Sequence, residues 1–280
     1  MVLSPDGPFV MVEGYTINDP DIEYGETFQV SLTLSNVGTE SANGLELEVS
    51  SEDPFISVMN GNITLGNLQA GQTLTSQSFD VAISANIPDG HVFTLSLNLS
   101  TASDNWLSEI SLIASAPQLS IENVSLDAFC GSLWPGNEAA VSVNVLNSGS
   151  AVLDLPSADV SLDGFGDVGN VNFEALSQLG MGEYMEIGFD LNISGSVQPG
   201  TMVSPSIVVT SDAVDGYSIE VPVDIIVGLL VETFETGDFS CQPWEEGGHS
   251  GWTIESSNAY EGMYSARSGQ ISDSQASSLI

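Results

Sequence analysis

The stretch that decides the fold is Phe28-Gln-Val-Ser-Leu-Thr-Leu-Ser35, in which apolar and polar residues alternate. A period of two residues places alternate side chains on opposite faces of a β-strand. The same alternation recurs in Leu45-Glu-Leu-Glu-Val49 and in Phe93-Thr-Leu-Ser-Leu-Asn-Leu-Ser100. Turn-forming residues such as Asn36-Val-Gly38 and Pro88-Asp-Gly90 separate these runs. The sequence therefore predicts a chain built of short β-strands.

This pattern occurs twice. A set of positions in the first half returns in the second half at a constant offset of 111 residues: Gly25, Val30, Leu32, Leu34, Asn36 and Gly38 match Gly136, Val141, Val143, Val145, Asn147 and Gly149. Further matches keep this register, within one residue, over about a hundred positions, which indicates two copies of one domain. About seven short strands in each copy is typical of an immunoglobulin-like sandwich.

We therefore predict an all-β fold: two tandem immunoglobulin-like β-sandwiches followed by a partial jelly roll. The predicted domains are 1–115 for the first sandwich, 116–229 for the second, and 230–280 for a truncated jelly-roll or adhesin-like module. A jelly roll has eight strands in two sheets. About 50 residues are too few for it, so we expect the third module to be the least stable region.

Several motifs carry a resemblance to known families. Tyr24-Gly-Glu-Thr27, Leu34-Ser-Asn-Val-Gly38 and Ile87-Pro-Asp-Gly-His91 resemble the Ig-like (CARDB-type) repeats of Bacteroidetes-type surface proteins and of the C-terminal regions of secreted gingipain-like cysteine peptidases. Trp252-Thr-Ile254 and Asn258-Ala-Tyr-Glu-Gly-Met-Tyr-Ser-Ala-Arg267 resemble the start of a cleaved-adhesin or MAM-like jelly roll. The resemblance implies a secreted or cell-surface multidomain protein with adhesive modules.

Composition narrows the range of partners. The chain carries 38 Asp plus Glu against a single Lys or Arg, for a formal charge of -37. Without a cationic patch it cannot bind nucleic acid electrostatically or attach to anionic lipid. No stretch approaches 18 apolar residues, so we expect no membrane insertion. The N-terminus lacks the features of a signal peptide, and we expect an extracellular or cell-surface protein exported as part of a longer chain.

Calcium is the predicted cofactor, because hard oxygen ligands are abundant. Asp19, Asp21, Glu23 and Glu26 crowd four carboxylates into one short loop, which is a ligand set that suits Ca²⁺. The alternative is a solvated acidic turn, and Pro20 favours that alternative. The adhesin resemblance implies a second calcium site at Glu235 and Glu261, with Glu232 and Asp238 as neighbours.

The two cysteines, Cys130 and Cys241, are not in a CxxC motif, so a zinc site is poorly supported. A sandwich can bring their loops to the same end, which makes a disulfide between modules one interpretation and two inert thiols the other. A catalytic thiol needs a cationic partner. The chain has no lysine, and its two histidines, His91 and His249, give no convincing dyad. We therefore predict no enzymatic activity.

The leading functional hypothesis is a non-catalytic spacer and binding segment that presents the adhesin-like module to an extracellular glycan or protein. One alternative is the C-terminal accessory region of a gingipain-like cysteine peptidase, with the catalytic domain lying outside this chain. A second alternative is a self-assembling structural subunit, since hydroxyl-rich strand edges can support strand addition between chains.

Overall fold

The computed structural model of the chain describes residues 5–128, 132–228, 234–241, 244–260 and 262–280. Every regular element in those ranges is a β-strand, and the strands form antiparallel ladders. This confirms the predicted all-β, sandwich-type class. Within the same ranges, no helix is long and apolar enough to cross a bilayer.

Nine strands belong to the first half of the chain: β1 (Val10–Ile17), β2 (Thr27–Asn36), β3 (Ala42–Ser50), β4 (Ile56–Met59), β5 (Asn62–Leu68), β6 (Thr73–Thr75), β7 (Phe79–Ile83), β8 (Val92–Ser100) and β9 (Asn105–Ile113). They form two sheets. One has the order β1-β2-β7-β4, with β6 also paired to β2, and the other has the order β5-β3-β8-β9.

Eleven strands belong to the second half: β10 (Leu119–Asp127), β11 (Glu138–Asn147), β12 (Leu153–Asp154), β13 (Pro156–Ser161), β14 (Gly166–Phe173), β15 (Gln178–Leu179), β16 (Tyr184–Ile193), β17 (Met202–Val203), β18 (Ser206–Ser211), β19 (Ser218–Pro222) and β20 (Ile225–Ile226). One sheet has the order β10-β11-β16-β14, which repeats the first sheet of the first half. The second sheet, β13-β18-β19, is accompanied by the short pairs β12-β15 and β17-β20.

Four short strands follow: β21 (Glu246–Gly248), β22 (Trp252–Glu255), β23 (Ser265–Ser268) and β24 (Ser277–Leu279). They make two ladders, β21-β24 and β22-β23. The predicted domain boundaries and the partial jelly roll stay predictions, although the ladders of the described residues do fall into these three groups along the chain.

Strict alternation builds each core. Along β2 the apolar residues Phe28, Val30, Leu32 and Leu34 are buried, while the hydroxyl and amide side chains between them stay partly or fully exposed. Because the side-chain period is two, a slip of one residue would turn this whole apolar set toward water. The alternation therefore fixes the register of the strand as well as its conformation.

A buried asparagine ends the second strand of each copy. Asn36 is fully buried, and its Oδ1 accepts hydrogen bonds from the backbone amides of Phe9 and Gly38 at 3.1 Å each. Its Nδ2 donates to the carbonyl oxygens of Glu40 and Leu68 at 2.8 and 2.9 Å. One side chain thus joins the N-terminal segment to the connection between the two sheets.

Asn147 repeats this network in the second copy. Its Oδ1 accepts from Gln118 N and Gly149 N, and its Nδ2 donates to Ala151 O and Leu179 O. From the sequence alone, Asn-x-Gly predicts only a turn. In the structure it is also an internal brace, because a buried amide must satisfy its hydrogen bonds within the fold.

The glycine two residues later is needed for a close backbone approach. A Cβ at Gly38 would lie 2.2 Å from Gly7 O, and one at Gly149 would lie 2.3 Å from Ala116 O. Any larger residue would push the crossing segment away from the asparagine amide.

Candidate functional site

The acidic loop between β1 and β2 lies against the second copy. Ile22 and Tyr24 point inward and are buried, so the carboxylates between and beside them face outward. The loop backbone is tied to the connection that leads into the second copy: Tyr24 N donates to Ser115 O at 3.0 Å, and Ser115 N donates to Ile22 O at 2.8 Å. The predicted calcium loop is therefore part of a junction.

Glu23 is the half-buried member of this acidic loop. Burial raises its pKa, and the charges of Glu26, Asp21, Asp154 and Asp19 raise it further, in that order. Asp154 belongs to β12, far away in the sequence, so the sequence of the loop does not reveal it. The structure therefore extends the predicted cluster of four carboxylates to five, with one contributed by the second copy.

These carboxylates are not arranged as a metal cage. Among the described residues, no group of three or more His, Cys, Asp or Glu side chains is placed to hold a metal ion. The loop has its own internal hydrogen bond, from Asp21 N to Asp19 Oδ1 at 3.2 Å. Calcium binding at Asp19, Asp21, Glu23 and Glu26 stays a prediction.

Two buried tyrosines lie at the centre of the junction. The rings of Tyr24 and Tyr217 meet edge-to-face, with centroids 5.2 Å apart and planes 62° apart. Tyr24 also donates its hydroxyl hydrogen bond to Val152 O at 3.1 Å. Burial raises the pKa of Tyr24 to about 12, and burial followed by the proximity of Tyr24 raises that of Tyr217. Both rings thus stay neutral at any physiological pH.

Polar side chains at the edge of the junction form hydrogen bonds between the two copies. Asn86 donates from Nδ2 to Gly216 O and accepts at Oδ1 from Ser218 N, both at 3.0 Å. Asp89 accepts from Ala116 N at 3.0 Å and from the Ser150 hydroxyl. Burial alone would raise the pKa of Asp89, but these hydrogen bonds outweigh it and bring the pKa below its ordinary value.

Gly25 allows the two copies to approach each other. It has a φ of +70°, and a Cβ there would lie 2.3 Å from Cγ1 of Val214. The glycine that repeats at Gly136 is therefore more than a turn residue in the first copy. Any side chain at this position would collide with Val214 of the second copy.

His91 forms a half-buried hydrogen bond with Asp53 beside the junction. Its Nε2 lies 2.7 Å from Asp53 Oδ2, and its ring meets Phe55 edge-to-face at 5.3 Å. Burial raises the pKa of Asp53, but the hydrogen bonds from His91 and from Phe55 N bring it below its ordinary value. The nearby Ser51 hydroxyl donates to Thr94 O at 2.9 Å, so its proton is directed to that carbonyl and away from His91.

The second predicted calcium site contains a carboxylate that caps a turn. Glu235 accepts hydrogen bonds from the amides of Met263 and Tyr264 at 2.9 to 3.0 Å. The carboxylate thus caps the backbone amides just before β23. These bonds come from backbone N–H groups. Glu261 and Glu232 lie outside the described residues, and the calcium assignment stays a prediction.

Cys241 is disulfide-bonded. Cys130 lies outside the described residues, so the pairing of Cys130 with Cys241 stays a prediction. His249, the other histidine of the sequence, contacts Ala276 O through Nδ1 at 3.2 Å.

Comparisons with known proteins find only distant similarity. No protein-family model and no characterised protein matches the sequence. Among solved structures, a protein of unknown function from Porphyromonas gingivalis W83 aligns with 75% of this chain and 99% of its own length, at 14% identity and a TM-score of 0.24. The C-terminal domain of the antigen I/II-family protein AspA from Streptococcus pyogenes aligns with 76% of this chain and 98% of its own, at 8% identity and a TM-score of 0.37.

The secreted serine protease VesC from Vibrio cholerae aligns with 69% of this chain and 48% of its own, at 15% identity and a TM-score of 0.28. The shared property of these structures is all-β architecture. The CARDB-type, gingipain-like and cleaved-adhesin relationships stay predictions.

Proposed function

We propose that this chain is a non-catalytic spacer and binding segment of a secreted or cell-surface multidomain protein. The two sandwiches form one stiff unit, and this unit presents the C-terminal segment to an extracellular glycan or protein. The observation that carries the proposal is the junction formed by Tyr24, Tyr217, Asn86 and Asp89.

The junction contacts come from several separate segments of the chain. On the first copy they lie in the loops that carry Tyr24 and Asn86, and on the second copy they lie near Ala116, Val152 and Tyr217. Hinge motion between domains is the default when few contacts cross a boundary. Contacts at several points resist rotation about any single axis, which supports a stiff spacer.

The C-terminal segment offers exposed side chains of the kind that bind sugars and proteins. Tyr260 is fully exposed and Met263 largely so, both near the turn before β23. An exposed aromatic ring can stack on a sugar face or enter a protein interface. This supports the proposal that binding occurs at this end of the chain.

Export is supported by charge and by covalent chemistry. A net charge of -37 is best tolerated where salt screens it. The disulfide at Cys241 favours an oxidising compartment. The proposed partners are therefore extracellular, and nucleic acid and the membrane interior are not among them.

The spacer role is tested by small-angle X-ray scattering on the full chain. The wild type is expected to scatter as one rigid particle, whereas the double variant Tyr24→Ala and Asn86→Ala should show a larger radius of gyration and a raised Kratky tail. The matched control is Tyr184→Ala with Asn98→Ala, since both of these residues lie on exposed sheet faces. A wild type already as flexible as the double variant would refute the stiff spacer.

The binding role is tested separately on a glycan array and on extracellular protein extracts. Tyr260→Ser together with Met263→Ser should remove any bound ligand while leaving the scattering profile unchanged. A ligand that is retained by this variant would show that binding occurs elsewhere on the chain.

A further inference from the structure

The last long strand of each copy lies at a sheet edge, and the two edges differ. In the first copy β9 pairs with β8 and with no other strand of the described residues. In the second copy β19 is the edge strand, next to β18. β9 runs for nine residues without proline, whereas β19 has five residues and ends at Pro222. The residue at the repeat position in β9 is Ser111.

A proline on an edge strand blocks pairing with another chain. It lacks the N–H group that a new strand would need, and natural proteins use it to protect exposed edges. The second copy has this protection and the first does not. Lysine, the other common protection, is absent from the whole chain.

The flanking hydrogen bonds fix which backbone groups of β9 face outward. Ala114 N donates to His91 O at 2.9 Å, and Thr101 N donates to Asp104 O at 2.8 Å. At both ends of the β8-β9 ladder, an even-numbered residue on the β9 side therefore makes the hydrogen bond. Because bonding direction alternates along an antiparallel strand, the even-numbered residues of β9 face β8. The backbone groups of Leu107, Glu109 and Ser111 therefore point to the free edge.

The exposed face of β9 carries two apolar side chains with two polar ones between them. Leu107 is 79% exposed and Ile113 is 61% exposed, and Glu109 and Ser111 lie between them. Both Leu107 and Ile113 are large apolar side chains that are mostly open to solvent. They mark a surface that gains from being covered.

Hollows lie on both sides of this edge. One, of about 420 Å³, is on the exposed sheet face and is lined by Glu48, Asn98, Leu107 and Glu109, among others. The second, of about 340 Å³, lies between β1 and β9 and includes Phe9, Met11, Trp106 and Leu107. An added strand sends alternate side chains to opposite faces, so it would place side chains in both hollows.

We propose that the β9 edge of the first copy is a docking site for an extended peptide of a partner protein, which adds as an antiparallel strand and carries a basic side chain opposite Glu109. Main-chain hydrogen bonds to Leu107, Glu109 and Ser111 supply the affinity, and the two hollows supply the selectivity. The fitting partner has apolar residues opposite Leu107 and Ile113.

Charge complementarity selects this occupant over a second copy of the chain. The exposed hollow has two carboxylates, Glu48 and Glu109, and the chain carries one cationic side chain in 280 residues. Pairing of two β9 edges would bring together two chains of charge -37, with no basic residue to place opposite Glu109. A cationic peptide has neither disadvantage.

The probe is the peptide acetyl-Val-Thr-Thr-Thr-Lys-Thr-Val-Leu-Thr-amide, titrated into the full chain by isothermal calorimetry. In the antiparallel register its lysine lies opposite Glu109 and its leucine lies opposite Trp106. Replacing lysine with glutamate should weaken binding about fivefold or more at low salt, because an attractive pair becomes a repulsive one.

Two N-methylated peptides test the strand geometry without changing the protein. Methyl groups on the third and seventh residues remove amides that face β9, and binding should fall about tenfold or more. Methyl groups on the fourth and sixth residues remove amides that face away, and binding should change by less than about threefold. Equal effects of the two peptides would overturn the proposal.

On the protein side, Ser111→Pro copies the natural Pro222 into the open edge. Its N–H points away from β8, so the sandwich should keep its circular dichroism spectrum and melting temperature while peptide binding is lost. Glu109→Gln should weaken binding about threefold and reduce its salt dependence. The matched control is Glu220→Gln, at the repeat position of β19, which should leave binding unchanged.

Several results would overturn the proposal. One is no binding of the lysine peptide up to 1 mM, and another is full binding by the Ser111→Pro variant. A concentration-dependent dimer that Ser111→Pro abolishes would assign the edge to self-association instead. None of these results bears on the junction, so the spacer proposal would stand or fall on its own scattering test.

Discussion

The two sandwiches and the C-terminal segment (234–241, 244–260 and 262–280) are held by different kinds of contact. Among the described residues, the buried apolar core extends from Val10 to Val227 and includes nothing after that. The C-terminal strands are three or four residues long and pair only in twos. Their contacts include the turn capped by Glu235 and the pair between Arg267 Nη1 and Glu255 Oε2 at 2.9 Å. The segment also has the disulfide at Cys241 and ring contacts of Phe234 with Phe239 and Trp244.

The sandwiches are thus held by a buried apolar core, whereas the contacts of the C-terminal segment are small and lie outside such a core. Buried apolar surface contributes about 25 cal/mol per Å² and depends weakly on salt. Exposed ion pairs contribute about 1 kcal/mol or less and are screened, and isolated two-stranded ladders are marginal in water. We therefore expect the C-terminal segment to open well before the sandwiches unfold.

The largest expected effect comes from breaking a sandwich at its asparagine brace. Asn147→Ala leaves two buried amides and two buried carbonyls without their partner, so it should lower the free energy of unfolding by about 3 kcal/mol or more. Thermal unfolding followed by circular dichroism should show the second copy melting more than about 10 °C earlier.

The control for this variant is Asn144→Ala, on the partly exposed face of the same strand. It should change the melting temperature by no more than about 2 °C. If Asn147→Ala behaved like Asn144→Ala, the buried network would not be what joins the two sheets. Asn36→Ala should reproduce the large effect in the first copy, since its hydrogen bonds are the same.

The next largest effect is expected at the junction. Asp89→Ala removes the acceptor for Ala116 N and for the Ser150 hydroxyl, and should cost about 1 to 2 kcal/mol. The pKa of Asp89 is lowered in the folded protein, so its contribution is present above the ordinary carboxyl pKa and is lost as the pH falls through the folded value. The deficit of the variant, measured by urea unfolding, should shrink below about pH 4.

The neighbouring Asp215 provides the comparison for this variant, because it is exposed at the same end of the second copy. Asp215→Ala should leave unfolding within about 0.5 kcal/mol of the wild type at every pH. An Asp89 deficit that stayed constant down to pH 3 would mean that the charge of this carboxylate does not contribute.

Local alternation was enough to predict the all-β class. Phe28 to Ser35 reads directly as a strand with one buried face, and the structure places β2 there. The repeat also matches Asn36 with Asn147, and the two side chains have corresponding hydrogen-bond partners in the structure. These features depend on residues that are close in the sequence, or that recur at a fixed offset between the copies.

The junction could not be predicted in the same way. Tyr24 contacts Tyr217, and the charge of Asp154 raises the pKa of Glu23, across more than 100 residues in each case. No periodicity marks such pairs. The only available signal was that Tyr24 is an aromatic residue in an otherwise acidic loop. The role of Asn36 was missed for a different reason, since Asn-x-Gly has the same composition whether it forms an exposed turn or a buried brace.

A smaller and local effect is expected in the C-terminal segment. Glu235→Ala removes the acceptor for Met263 N and Tyr264 N, so amide hydrogen exchange around residues 262–268 should become faster. The main melting transition should move by less than about 1 °C, because the sandwiches do not depend on this turn. Asp238→Ala is the control, and a lowered main transition in Glu235→Ala would show that the segment is coupled to the sandwiches.

The smallest effect is expected at Glu23, where the sign is reversed relative to Asp89. The pKa of Glu23 is raised in the folded protein, so the folded state holds its proton to a higher pH, and stability is lost as the pH rises through the folded value. Glu23→Gln should therefore stabilise the junction at pH 7, by no more than about 0.5 kcal/mol, and should match the wild type below about pH 4. Urea unfolding measures both effects.

Urea unfolding in buffers that contain EDTA or Ca²⁺ also tests the predicted calcium loop. If the loop binds calcium, the ion should stabilise the wild type more than the variant and reverse their order, because a carboxylate that costs stability when bare becomes a ligand. If the loop is a solvated acidic turn, the variant should stay the more stable protein in both buffers. In that case 150 mM NaCl should reduce the stability difference between variant and wild type as much as calcium does at equal ionic strength.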